Sequence, residues 1–343
     1  MTDRRSALVT GVTGQDGAYL VELLLGKGYA VHGIARDVTA FDYGRLGNAR
    51  YDAGEFRLHN CDITDEAGLR KLVAAIRPDE IYNLAAQSHV PTSLADPRRT
   101  MEINATAAVS LLRMTVDLEF QEHTRLFQAS SSEVFGDASG AVLTESSPMR
   151  PCNPYAESKY QAYVASTRLR AETGLFVVNG FLFNHESPYR SAAFVTRKIS
   201  LAVASRARGG RAPLRLGNLD VRRDWGHARD YVAGMWLSLQ RDQPGDYIFS
   251  TGENHSVREF VELAFAAAGQ RIRWQGEGLQ EAGYDADTAD RLVEIDPAFF
   301  RPNEISATLG DASKALQELA WRPRTTFEEL VREMVISDLD RTR

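Results

Sequence analysis

The run Thr10-Gly11-Val12-Thr13-Gly14-Gln15-Asp16-Gly17 constrains this chain more than any other stretch. It follows a short apolar segment, Ala7 to Thr10, and opens an amphipathic one, Tyr19 to Leu25, that stops near Gly26 and Gly28. Glycines spaced GxxGxxG between a strand and a helix allow a tight turn and let a phosphate come close to the backbone. The helix that starts there presents unpaired N–H groups and the positive end of its dipole. The context predicts a dinucleotide site, with Gly11, Thr13, Gly14, Gln15, Asp16 and Gly17 around the pyrophosphate.

The rest of the first half alternates in kind. Ala30 to Ala35, Phe56 to Leu58, Ile81 to Ala86, Arg125 to Ala129 and Leu175 to Phe183 read as strands; Ala67 to Ile76 and Thr106 to Leu118 read as helices. Such alternation predicts an α/β fold, a parallel sheet with right-handed crossings and helices on both faces. Ligands of such sheets collect at the carboxyl ends of the strands. The second strand ends in Arg36-Asp37. An arginine there suits the 2′-phosphate of NADP and an acid suits the ribose hydroxyls of NAD, so the adjacent pair leaves both cofactors open. Asp62 and Ile63 follow the third strand, toward the adenine. Leu84, Ala85, Ala86 and Ser88 follow the fourth and line the cofactor path.

The second half is less regular. Ser191 to Ala207 and Ser256 to Ala268 read as helices, the latter N-capped by Ser256. Asp246 to Thr251 reads as a strand, and Phe327 to Leu339 as a final amphipathic helix. Gln275 to Asp290, acidic and glycine-containing, reads as a surface loop.

Chemistry concentrates in two places. Tyr155-Ala156-Glu157-Ser158-Lys159 sets a phenol and an ammonium on one helical face. A cation one turn away is expected to lower the phenol's pKa and make Tyr155 a base, with Lys159 also holding the nicotinamide ribose. Ser130-Ser131-Ser132-Glu133 follows the Arg125 strand. The Ser131 hydroxyl is placed to bond the oxygen being oxidised. Hydride transfer alone needs only the tyrosine; Glu133 beside it suggests removal of a second, carbon-bound proton.

Composition sets the class. The 343 residues are 43% hydrophobic and 25% charged, as in globular proteins. A net charge of -6 argues against a nucleic-acid partner. The two cysteines, Cys61 and Cys152, form no CxxC pair, so neither a disulfide framework nor a metal site is expected. No signal core precedes the first strand and no run approaches the roughly 18 apolar residues of a membrane span, so a cytoplasmic protein without a membrane partner is expected.

Together these motifs resemble the GDP-mannose 4,6-dehydratases over nearly the whole chain. The most specific stretches are Thr10 to Gly17, Ile81 to Val90, Leu182 to Pro188, Phe194 to Lys198, Leu216 to Asp230 and Ser256 to Glu262. The resemblance implies a Rossmann-like, doubly wound parallel sheet with a smaller mixed carboxy-terminal domain that grips the sugar nucleotide. The division is interleaved: 1–184 plus about 226–257 for the dinucleotide, and about 185–225 plus 258–343 for the nucleotide sugar. It implies Tyr155 as base at the 4-hydroxyl, hydride transfer to the nicotinamide, Glu133 acting at C5 with loss of the C6 hydroxyl, and return of the hydride to C6. It also implies bound NADP and a homo-oligomer, a dimer or tetramer. By motif match, His185 and Arg190 lie near the cofactor, while Asn184, Val195, Lys198, Arg223, Arg301 and Glu304, with Ser88, hold the GDP-sugar.

The chain departs from the pattern in places. Ser131 stands where the family usually has Thr, Asp37 where it has a second arginine, and Arg99 where it has a tyrosine that contacts the cofactor. Tyr189-Arg190-Ser191 replaces two arginines and a glycine. Other readings are a 4,6-dehydratase of another GDP-sugar such as a heptose, a 4-epimerase or 4-keto reductase, and a catalytically silent nucleotide-binding protein.

Overall fold

A computed structural model describes residues 4–40, 55–138, 140–299 and 305–341. In the first half, β1 (Ser6–Thr10), α1 (Gln15–Gly26), β2 (Ala30–Ala35), β3 (Phe56–Asn60), α2 (Glu66–Ile76), β4 (Glu80–Asn83), α3 (Val90–Ala95), α4 (Pro97–Met101), α5 (Ala107–Asp117), β5 (Arg125–Ser131), α6 (Pro154–Thr173) and β6 (Val177–Leu182) follow in order. In the second half come β7 (Asn184–Glu186), α7 (Val195–Ala207), β8 (Leu214–Leu216), β9 (Arg222–Arg223), β10 (Trp225–His227), α8 (Ala228–Leu239), β11 (Asp246–Phe249), β12 (His255–Ser256) and α9 (Val257–Ala267). After these run β13 (Ile272–Gln275), β14 (Ala282–Asp285), β15 (Arg291–Ile295), α10 (Ser313–Leu319) and α11 (Phe327–Asp340).

Seven strands form one parallel sheet in the order β11-β6-β5-β4-β1-β2-β3. Neighbouring residues of each central strand point to opposite faces, and both faces are apolar, as a doubly wound sheet requires. Leu8, Ile81, Leu126 and Val177 face α2 and α5 through Leu69, Val73, Leu111 and Leu112. Val9, Tyr82, Phe127 and Val178 face the other way, toward Leu20 and Leu24 of α1 and Tyr231 and Met235 of α8. A second core joins α7, α9 and α11 to a four-stranded sheet, β13-β14-β15-β8, through Ile199, Val203, Phe260, Phe265, Val293 and Met334. Arg197 of α7 and Asp338 of α11 are paired and buried beside this core, where Asp338 also accepts the Ser200 hydroxyl. Ala315, Leu319 and Trp321, late in the chain, pack instead into the core of the large sheet.

The strand order reverses direction at β1 and β4, and there the two strands part. The sequence pattern continued β4 to Ala86; it ends at Asn83 because the amides of Leu84 and Ala85 leave the ladder for the Thr10 hydroxyl, each at 3.1 Å. Gly11, at φ +70°, fills the gap so tightly that a Cβ would sit 2.7 Å from the Ala85 nitrogen. The result is a crevice at the strand ends, roofed by the start of α1.

Two further expectations change. Residues 191–194 form a turn and not the start of α7, since the Phe194 amide closes back on the Ser191 carbonyl at 3.1 Å. The stretch from Gln275 to Asp290 is no surface loop: it holds β14, an inner strand of the four-stranded sheet. Its sequence, Ala-Gly-Tyr-Asp, lacks the branched residues that mark strands. The small residues are what the site needs, for a Cβ on Gly283 would press on Ile272 and Trp274 of β13 at about 3 Å.

Candidate active site

A cavity of about 1130 Å³ runs along the crevice from the glycine turn to the second core. One end is lined by Gly11, Thr13, Gly14, Gln15, Asp16 and Gly17, with Arg36, Asp62 and Ile63 beyond them. Leu84, Ala85, Ala86 and Ser88 form a wall. The same cavity is lined by Ser131, Glu133, Tyr155, Lys159, His185 and Arg190, and by Asn184, Val195, Lys198 and Arg223. Asp37 is not on the cavity wall: its carboxylate accepts the Thr39 amide at 2.9 Å and the Thr39 hydroxyl at 2.6 Å. Arg301 and Glu304 lie outside the described residues.

The part of the cavity around Tyr155 is assembled by β5 and α6. Ser131 ends β5 and caps the short turn that follows, accepting the Glu133 amide at 3.2 Å. Asn153 starts α6; its Oδ1 accepts the Ala156 amide at 2.8 Å while its Nδ2 donates to Glu133 Oε2 at 3.0 Å. One residue thus fixes both the helix that carries Tyr155 and Lys159 and the carboxylate that faces them. Asn104 does similar service from behind. It sits in a π-helical turn, Glu102–Thr106, accepts the Gln87 amide at 2.8 Å and donates to the Gln87 carbonyl and Ser158 Oγ at 2.9 and 3.0 Å.

The electrostatics differ from the sequence expectation. The Lys159 ammonium donates to the Ala129 carbonyl at 2.9 Å and stands 6.0 Å from the centre of the Tyr155 ring. Tyr155 is pushed up to about 12, chiefly by burial and also by the Glu133 charge, against a lowering hydrogen bond from Ser131. Burial also brings Lys159 down to about 8, with Asp16 opposing the fall. The expected depressed phenol is therefore corrected. Desolvation, with the Glu133 charge, outweighs the lowering effects of Ser131 and Arg190.

A latch closes the glycine turn. His185 Nδ1 meets the Phe183 carbonyl at 2.7 Å and Nε2 meets Asp16 Oδ2 at 2.9 Å. Both ring nitrogens face acceptors, an arrangement that favours the doubly protonated ring. Burial opposes that charge, but the Asp16 charge and hydrogen bond outweigh it, and the His185 pKa is raised. Gln15 completes the latch, donating to the His185 carbonyl at 2.7 Å and accepting the Ser187 hydroxyl at 2.9 Å. Beside it, Arg190 pairs with buried Glu186 at 3.1 Å and lies over the Phe194 ring.

Sequence reasoning missed Asn153 and Asn104. Asn153 had a local signal, an Asn-Pro pair directly before a helix. Asn104 acts only across tertiary contacts, to Gln87 and Ser158.

Comparison with known proteins follows the same lines. A family model described as GDP-mannose 4,6 dehydratase matches residues 8–334. The GDP-mannose 4,6-dehydratase of Sinorhizobium fredii strain HH103 is 48% identical over 100% of this chain and 99% of that one. The GDP-mannose 4,6 dehydratase of Cricetulus griseus is 45% identical over 99% and 93%. Among solved structures, a Thermus thermophilus UDP-glucose 4-epimerase in complex with NAD superposes with a TM-score of 0.80 at 24% identity, covering 97% of this chain and 98% of that one.

Proposed function

The chain belongs to the GDP-mannose 4,6-dehydratase family, and from that premise we propose that it converts GDP-mannose into the GDP-4-keto-6-deoxy sugar with loss of one water. The observation that carries this reading is the convergence of Ser131, Glu133, Tyr155 and Lys159 on one cavity that begins at a dinucleotide turn.

The residues fit a nicotinamide dinucleotide. A Cβ on Gly14 would meet only the Gly11 carbonyl, at 3.3 Å, so the turn is otherwise open toward the cavity. The first amides of α1 precede its first internal bond, Ala18 to Gly14, and are available to a pyrophosphate. The NAD of the T. thermophilus neighbour supports the cofactor class. NADP is favoured over NAD, because Arg36 lines the cavity whereas the Asp37 carboxylate is engaged by Thr39. The glycine turn and Lys159 would hold this cofactor, which would supply the hydride acceptor for C4 and the donor for C6, and whose oxidised form would favour the phenolate of Tyr155 by its positive charge.

The side chains do the rest. Ser131 bonds the 4-oxygen, and Tyr155 takes the proton from the 4-hydroxyl as C4 becomes a ketone. The ketone acidifies the hydrogen on C5, which the Glu133 carboxylate removes. That proton passes to the C6 hydroxyl, which departs as water, so Glu133 ends ionised as it began. After C6 is reduced, C5 needs one proton, equal to the one Tyr155 holds, and its transfer restores the starting state. Asn153 keeps Glu133 aimed, and Lys159 holds the ribose and its own positive charge near the phenol.

Lys198 and Arg223 supply charge for the GDP diphosphate, with Asn184 and Val195 beside them; Ser88 faces the sugar. Arg301 and Glu304 are proposed partners of the same nucleotide. The interleaved division into a dinucleotide part and a sugar-nucleotide part is retained as a proposal, with α10 lying against the former. A homo-oligomer and a cytoplasmic setting belong to the same reading; among the described residues no helix is long and apolar enough to cross a membrane.

The test is direct. Purified protein incubated with GDP-mannose and NADP yields a product lighter by one water, with no net change in cofactor. Recovery of unaltered GDP-mannose, or of a 4-epimer of equal mass, overturns the proposal.

A further inference from the structure

Phe299 is the one aromatic among the exposed large apolar side chains of the described residues, with 46% of its surface open. It lies on the wall of the same cavity as Tyr155, beside Lys198 and Gly217. A single exposed apolar side chain is ordinary on a protein surface; this one stands out because it lines the cavity and lies against a cation.

The ring is held, not loose. Its turn, Pro297–Phe299, begins at Asp296, whose amide donates to the Leu216 carbonyl at 2.7 Å and whose carboxylate pairs with Arg215 at 3.0 Å. The Phe299 amide closes on the Asp296 carbonyl at 3.0 Å, and the Ala298 amide on the Asp296 carboxylate at 3.0 Å. Gly217 accepts the turn at close range: a Cβ there would sit 2.5 Å from the Phe299 carbonyl oxygen. The Lys198 ammonium lies 3.5 Å from the ring centre and donates to the Arg215 carbonyl at 2.6 Å. One face of the ring is therefore turned to a cation that itself lines the cavity.

We propose that Phe299 is a substrate-binding residue that stacks the nucleobase of the sugar nucleotide, and that Lys198 leaves the ring for the diphosphate when the nucleotide enters. The inference rests on the family reading above and adds the recognition of the base to it. An ammonium over a half-exposed ring is weakly held, whereas its hydrogen bonds to a diphosphate are charge-assisted on both sides. The exchange moves the cation to the stronger site and frees a flat apolar face. Any base offers a flat face to such a ring, so the stack supplies affinity for the nucleotide as a whole. The diphosphate is short, which puts the base next to the residue that binds the phosphates and far from the sugar at Tyr155.

The experiment is calorimetric titration of the full chain with GDP and, separately, with inorganic pyrophosphate. Phe299→Ala is expected to weaken GDP roughly tenfold, the order of a lost base stack, and to leave pyrophosphate binding unchanged. Phe299→Tyr is expected to bind both as the wild type does. Lys198→Met is expected to weaken both probes. Should Phe299→Ala fail to fold, as judged by its melting transition, Phe299→Leu gives the same comparison with the side-chain volume kept and the flat face removed. Equal loss of GDP and pyrophosphate in the folded variant, or no loss of either, overturns the stacking role. A wild type that binds no GDP removes the family reading and this inference with it; a wild type that binds GDP while Phe299→Ala binds it equally well removes this inference alone.

Discussion

The charge of Lys159 responds to pH just above neutrality. Burial holds it near 8 in the folded protein against an ordinary value of 10.5. If its ammonium assists Tyr155, turnover falls as pH rises through about 8. Its effect on stability has the opposite sign. Between about 8 and 10.5 the unfolded chain binds the extra proton, so this group's contribution favours folding more as pH rises. A rate profile and a set of melting curves over one pH series should therefore diverge; a parallel decline would assign the loss to unfolding. Asn153 makes a second prediction. Asn153→Ala removes the cap of α6 and the donor to Glu133, so it should cost about 1 kcal/mol in urea unfolding and lower the rate further than that loss of stability explains. The Tyr155–Lys159 pair was legible in the sequence because i and i+4 share a helix face. The sign of the tyrosine's pKa was not, because it depends on burial and on Glu133, 22 positions earlier in the chain.

At the level of elements, the glycine turn is the most demanding feature. A Cβ on Gly17 would lie 2.6 Å from the Gly11 carbonyl and from the Val12 Cα, atoms of backbone that cannot swing aside. Gly17→Ala should cost about 1–3 kcal/mol by overpacking and weaken NADP binding, measured by fluorescence titration, because α1 must move off the turn. Unchanged cofactor affinity would show that the turn tolerates displacement. The central strands β1, β4, β5 and β6 were legible because they are buried on both faces and carry apolar runs. β14 was not, because its fitness lies in what it omits: small residues that let Ile272 and Trp274 approach. The short pairs β7–β10 and β9–β12, which carry Asn184, His185 and Arg223, are two or three residues long and leave no periodic trace.

On the scale of the whole molecule, the cavity lies between two cores, and α7 and α11 hold the second one together through Arg197 and Asp338. Asp338→Ala leaves the guanidinium buried without its partner and should destabilise the protein by about 3–5 kcal/mol; replacing both members with apolar residues should recover much of that. Equal melting temperatures for Asp338→Ala and wild type would show that this pair does not join the two helices. The fold class and the cofactor end of the cavity followed from local pattern. The meeting of that end with Lys198 and Arg223 did not, since those side chains come from elements that only the folded chain brings together. The central claim is that Glu133, aimed by Asn153 into the cavity of Tyr155, turns an oxidation into a dehydration. The most direct measurement is a single turnover of GDP-mannose by NADP-loaded Glu133→Gln, followed by cofactor absorbance and product mass. The account predicts that reduced cofactor accumulates while no water is lost. Formation of the dehydrated product at the wild-type rate would contradict it.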